Sequence, residues 1–127
     1  MAAIEAALAI SGPADRSIAE LAALLQQHGA NLDAPLEALS ARIAGLGKLG
    51  IGGESVGFAP RFGRNIDYYT GFVFELWAPG PDGPLQVAGG GRYDTLMRTL
   101  GAETDIPAVG CAIRDERLLV ACHVKGR

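Results

Sequence analysis

Three segments of the chain combine residue types that could do chemistry. The first is Arg61-Phe-Gly-Arg-Asn-Ile-Asp-Tyr-Tyr-Thr-Gly71, which places Arg64, Asp67, Tyr68 and Tyr69 in one short loop between apolar runs. A zwitterionic ligand needs such a set: a cation for its carboxylate, an anion for its ammonium, and phenols to hydrogen-bond and wall the rest. A tyrosine-rich hairpin with a surface ion pair would use the same residues, and spacing alone does not separate the two. The second segment, Ala88-Gly-Gly-Gly-Arg-Tyr-Asp94, sets Gly89, Gly90 and Gly91 at the end of an apolar run, followed by Arg92 and Tyr93. Glycines there let another group approach the backbone closely, although a plain strand-to-helix turn is the bland alternative. It has neither the Gly-Lys-Ser/Thr ending of a P-loop nor a GxGxxG pattern. The third, Pro107-Ala-Val-Gly-Cys-Ala-Ile-Arg-Asp-Glu-Arg-Leu118, runs a strand into a charged helix that carries Arg114 and Arg117. A solvated helix start, with Asp115 and Glu116 favoured by the helix dipole, accounts for it equally well.

The elements that must position these segments fall into two halves of different grammar. The first half, residues 1–52, is rich in Ala and Leu and reads as helical. Ala2 to Ile10 forms a short helix that stops at Gly12-Pro13. Ser17-Ile-Ala-Glu20 reads as a capping box that opens a second helix, with Leu21, Leu24 and Leu25 at helical spacing and Gly29 as its stop. A third helix starts near Asp33-Ala-Pro35, where proline suits a first turn, and carries the stripe Leu36, Leu39, Ile43 and Leu46. Nothing in this half suggests chemistry.

Glycines 45, 47, 50, 52 and 53 mark a boundary, after which residues 53–127 take the period of strands. Val56 to Phe62 and Phe72 to Trp77 read as two strands joined through the first segment. Pro79 to Pro84 is a turn, Leu85 to Gly89 a third strand and Tyr93 to Leu100 a short helix closed by Gly101. Ala108 to Ile113 is a fourth strand, and a last helix starts at Asp115. Strands joined by hairpin-like loops, with helices grouped apart, imply an α+β fold: an antiparallel sheet flanked by helices.

Composition narrows the function classes. The formal net charge is -3, and the only lysines are Lys48 and Lys125, which argues against a nucleic-acid surface built on a basic patch. The apolar N-terminus lacks a basic leader and is too short to span a membrane. Cys111 and Cys122 do not form a CxxC pair, and His28 and His123 stand alone, so a reduced, cytoplasmic protein without a metal site or cofactor is expected.

Taken together, the three segments resemble the histidyl-tRNA synthetase family, which includes a paralogous branch of ATP phosphoribosyltransferase regulatory subunits. Arg64-Asn-Ile-Asp-Tyr-Tyr69 is similar to the first histidine-specific motif, usually Arg-Gly-Leu-Asp-Tyr-Tyr. Gly89-Gly-Gly-Arg-Tyr-Asp94 is similar to the second, and Gly110 to Leu118 to class II motif 3. Order and spacing agree over residues 56–122. Motifs 1 and 2 of the class II core are not recognisable, so the resemblance implies the C-terminal part of such a core.

The resemblance implies roles for individual residues. Arg64 would neutralise carboxylate or phosphate charge, with Asp67 beside it, and Tyr68 and Tyr69 would line a histidine pocket. Gly89, Gly90 and Gly91 would form its floor, beside Arg92 and Tyr93. Arg117 would match the arginine that grips ATP in synthetases. Arg114 stands where the family carries glycine and would crowd the nucleotide, which implies a degenerate nucleotide site. That departure, and the chain's stop soon after motif 3, favour the regulatory branch. The resemblance then implies a non-catalytic subunit that binds L-histidine, self-associates through the synthetase-like core and regulates the short-form ATP phosphoribosyltransferase catalytic subunit, with no tRNA. A truncated histidyl-tRNA synthetase core and a stand-alone histidine-binding module are the alternatives.

Overall fold

The structure, a computed structural model, describes residues 2–63 and 68–125. It divides into two compact units, Met1–Phe62 and Gly63–Arg127.

The first unit is helical, with a minimal two-stranded ladder. Helix α1 spans Ala2–Ala9, α2 Ala14–Gln27 and α3 Asp33–Lys48. Strand β1, Gly12–Pro13, pairs antiparallel with β2, Gly57–Phe58. Its small core gathers Ile10, Ala14, Ile18 and Leu21 around Ser17, which is 2% exposed. Helices α2 and α3 end alike. Gly29 and Gly50 take positive φ of 66° and 78°. The next residues, Ala30 and Ile51, donate back to Leu25 and Leu46. That left-handed turn satisfies the last carbonyls and is cheapest for glycine, so Gly29 is the stop its position implied.

Two expectations fail in this unit. Ser17 does not cap α2: the helix begins three residues earlier, after Pro13, with no side-chain cap. Pro13 has no N–H to satisfy, and the first helical N–H, on Ala14, donates to Val56 O at 2.8 Å. The ladder therefore replaces the capping box, and Ser17 is packed inside. Nor does the segment from Val56 form a long strand in a hairpin with Phe72. Only Gly57–Phe58 is extended and paired, and its partner is β1.

The second unit is a three-stranded antiparallel sheet of order β3-β4-β5, with β3 Val73–Ala78, β4 Leu85–Arg92 and β5 Val109–Ile113. The mixture of helices and antiparallel strands is the expected α+β class. The central strand runs on through the glycines to Arg92, three residues past the expected end. Glycine weakens a strand unless neighbours lie close, and here both do: Gly90 pairs with Phe74 and Cys111, and Gly91 with Val73 and Gly110. Val87 is an extra residue between the Leu76–Ala88 and Trp77–Gln86 pairs, a bulge that shifts the register. Helix α5, Asp115–Lys125, packs along β4 and buries Ala121.

The expected helix from Tyr93 shrinks to α4, Leu96–Thr99. Tyr93 and Asp94 are held outside the helix by backbone hydrogen bonds instead. Tyr93 N donates to Ala108 O at 2.9 Å, and Ile106 N to Asp94 O at 3.1 Å. Pairing with the approach to β5 takes the hydrogen bonds that a helix start would need.

Candidate functional site

Antiparallel register decides which residues share a face of the sheet. Val73, Gly91 and Gly110 form one rung, and Glu75, Gly89 and Ala112 the next rung on the same side. Four of these six residues are glycine or alanine, so the face is a smooth floor where a flat group can lie on the backbone.

Tyrosines occupy one end of this floor. A Cβ on Gly91 would lie 2.8 Å from Tyr69 Cδ1 and 2.7 Å from Phe72 O; one on Gly110 would lie 2.5 Å from the Tyr93 hydroxyl. Both rings therefore rest where any larger residue would stand. Tyr68 completes the cluster, 4.8 Å from Tyr69 and edge-on to Tyr93 at 5.3 Å with an 81° interplanar angle. Tyr69 and Tyr93 lie 6.3 Å apart. These are favoured aromatic geometries, worth about 0.5–1.5 kcal/mol per pair beyond burial. Gly90 faces the other way: a Cβ there would meet Gly110 O and Cys111, so its role is close strand packing.

Polar groups fix the cluster's surroundings. Arg92 Nε meets Asp94 Oδ2 at 2.7 Å. The other carboxylate oxygen accepts the Ala108 N–H at 3.2 Å, and the Asp94 N–H donates to Thr70 Oγ1 at 2.9 Å. Thr70 N donates in turn to Arg92 O. Asp94 thus ties the tyrosine loop, the strand end and the approach to β5 into one joint, with the Arg92 stem seated against Gly71.

A second polar group lies around Gln86. Its side-chain amide donates to Glu75 Oε1 at 2.7 Å, and its Oε1 accepts from Arg114 Nε at 3.1 Å. Arg117 donates to Gln86 O at 3.2 Å. Both arginines are thereby turned onto the strand. Arg114 links through Gln86 to Glu75, a carboxylate on the floor's face.

Of the residues singled out from sequence, Tyr68, Tyr69, Gly91 and Tyr93 come together. Gly89 is on the same face, Arg92 borders it, and Arg114 and Arg117 gather at Gln86. Arg64 and Asp67 lie outside the described residues. Sequence reasoning passed over Glu75, Asp94 as a joint, and Gln86. A signal for Glu75 existed: it is the one charged residue in an otherwise apolar strand, two residues from Val73 and so on the glycine face. Among the described residues no cluster of metal-ligating side chains occurs, and no helix is long and apolar enough to cross a membrane.

Comparison with known proteins shows the family. The family model described as histidyl-tRNA synthetase matches residues 1–118. An ATP phosphoribosyltransferase regulatory subunit from Mesorhizobium japonicum is 42% identical over 117 residues, covering 92% of this chain and 31% of the relative. Subunits of the same name from Brucella anthropi and Agrobacterium fabrum are each 40% identical, over 82% and 87% of this chain and 28% and 29% of their own lengths. The chain thus spans about three tenths of the length of the curated relatives it matches. Their name describes a regulatory subunit. With a glycine floor, a tyrosine cluster and a match over most of its length, the chain belongs to the histidyl-tRNA synthetase family, in the region where it is similar to ATP phosphoribosyltransferase regulatory subunits.

Proposed function

We propose that the chain is part of a non-catalytic, histidine-binding regulatory subunit of ATP phosphoribosyltransferase, and that it supplies the floor and one wall of the histidine pocket. The observation that carries this reading is the seating of Tyr69 and Tyr93 on the Gly91–Gly110 rung. An imidazole laid on the adjoining backbone would meet aromatic faces on one side and the Glu75 carboxylate one rung away. Successive same-face residues are about 6.6 Å apart along a strand, a span that suits a single amino acid. Arg64 and Asp67 would hold the ligand's carboxylate and ammonium. The rest of the pocket, and self-association through the synthetase-like core, belong to the whole protein.

In this reading the partner is the short-form catalytic subunit, in the cytoplasm. Histidine acts by binding two states of the complex unequally, and a coupling of about 1–3 kcal/mol suffices for feedback. No step of the reaction passes through this chain. The rival reading, a synthetase core that activates histidine with ATP, draws on the family model's description. Against it we set Arg114, which the resemblance aligns with a motif 3 glycine beside the nucleotide; its Nε donates to Gln86 Oε1. Reconstituting the full-length protein with a short-form catalytic subunit tests the proposal. The complex is expected to join ATP to phosphoribosyl pyrophosphate faster than the catalytic subunit alone, and histidine to reverse that gain. Unchanged activity with and without the full-length protein would overturn it.

A further inference from the structure

Helix α3 has an apolar stripe but buries none of it. Leu36 and Ile43 are half-exposed and line a trough between α3 and α2, with Ile18 and Ala22 on the opposite wall. The open trough has a volume of about 820 Å³ and is lined also by Gly52 and Gly53, all within the first unit. On α3 its lining runs from Asp33 to Gly47 in steps of three and four residues, one whole helix face about 20 Å long at 1.5 Å per residue. A long, mostly apolar trough between two helices is the shape that receives a third helix.

Its charge is one-sided. Asp15 lines the α2 side, and Asp33 and Glu37 the α3 side, and no Lys or Arg lines it anywhere. Among the described residues, none of the three carboxylates takes part in a salt bridge. Asp33 and Glu37 sit at the start of α3, and Asp15 sits at the start of α2, towards the Gly52–Gly53 end, so the trough is acidic at both ends.

We infer that this trough is a docking site for a basic amphipathic helix of another polypeptide. Apolar residues at every third and fourth position would fill the space between Ile18, Ala22, Leu36 and Ile43. Lysines or arginines on the flanks would meet Asp15, Asp33 and Glu37. Contact with the apolar walls supplies affinity, and the carboxylates at both ends select against acidic helices. The site is separate from the tyrosine floor and needs no histidine.

A synthetic amphipathic helix of about 18 residues, long enough to hold helical structure, serves as the probe. It carries leucines on one face and lysines on both flanks; a twin carries glutamates in place of the lysines. Fluorescence anisotropy with the 127-residue chain is expected to show the lysine peptide binding at least about tenfold more tightly than its twin at low salt, a gap that three screened charge pairs can supply. The gap should shrink as salt rises. The triple variant Asp15→Asn, Asp33→Asn, Glu37→Gln, folded by circular dichroism, should lose the preference while still binding weakly. A second variant, Leu36→Ala, should weaken both peptides and leave their ratio unchanged. Equal binding of the two peptides, a preference that survives the triple variant, or no binding of either would each overturn the inference. So would sedimentation showing the trough closed by a second copy, released by Leu36→Ala.

Discussion

The Tyr93 hydroxyl rests so close to Gly110 that a methyl group on that glycine would lie 2.5 Å from the oxygen. On the paired strand a methyl on Gly91 would meet both the Tyr69 ring and the Phe72 carbonyl. The two glycines face each other across β4 and β5, yet they constrain different things. Gly110 opposes the tip of a side chain that can swing away, whereas Gly91 opposes backbone that cannot.

Substituting each with alanine should therefore separate stability from site shape. Gly91→Ala is expected to cost about 1–3 kcal/mol, the range for overpacking a close contact. Gly110→Ala should cost under about 1 kcal/mol and move the Tyr93 ring. Urea denaturation gives the energies, and tyrosine ring chemical shifts report the displacement. Equal costs in the two variants would show that the backbone at Phe72 yields as easily as a side chain.

The Asp94 joint predicts coupling. Asp94→Ala should destabilise by about 1–2 kcal/mol, because it leaves the Ala108 N–H without an acceptor and releases Arg92. The part-exposed ion pair itself contributes little of this. Thr70→Val removes the hydroxyl that accepts the Asp94 N–H. A double-mutant cycle should return a coupling of at least about 0.5 kcal/mol, whereas independent sites would add within error.

Much of this site was legible before the structure, and the reasons are physical. Three consecutive glycines in a strand ask for close neighbours, and Tyr69, Phe74 and Cys111 are those neighbours. Tyrosines on either side of the sheet segment announced an aromatic wall. The helix end at Gly29 was equally readable, since left-handed turns favour glycine, whereas Gly50 reads from sequence only as one of five boundary glycines. Failures came where distant pairing overrode a local pattern. Ser17 and Glu20 have capping-box spacing, but Val56 supplies the acceptor that starts the helix earlier. Tyr93 and Asp94 precede a helical pattern, but Ala108 and Ile106 claim them for the sheet. Gln86 was invisible because its three partners converge on it from separate elements, and no spacing encodes that.

The exposed edge of the sheet carries a third expectation. β5 is an outer strand, and Val109 and Ile113 on it are 62% and 65% exposed. An open apolar edge is a template for pairing with another chain. The 127-residue chain should self-associate with rising concentration in light scattering, and Ile113→Lys should shift it towards monomer. A wild-type chain that stays monomeric at high concentration would contradict this.

Arg114 bears on nucleotide chemistry. With its guanidinium held by Gln86 at 3.1 Å, the full-length protein is expected to give no histidine-dependent pyrophosphate exchange at an enzymatic rate, on the order of 1 per second or more. Exchange at such a rate would return the synthetase reading to first place.

Histidine binding to the full-length protein, measured by calorimetry, tests the central claim most directly. The wild type is expected to bind free L-histidine. Tyr69→Phe and Arg64→Ala should each weaken binding by roughly 1.5–3 kcal/mol, the worth of a hydrogen bond to a charged ligand group. Wild-type affinity retained in both variants would contradict the account of the tyrosine floor as the histidine site.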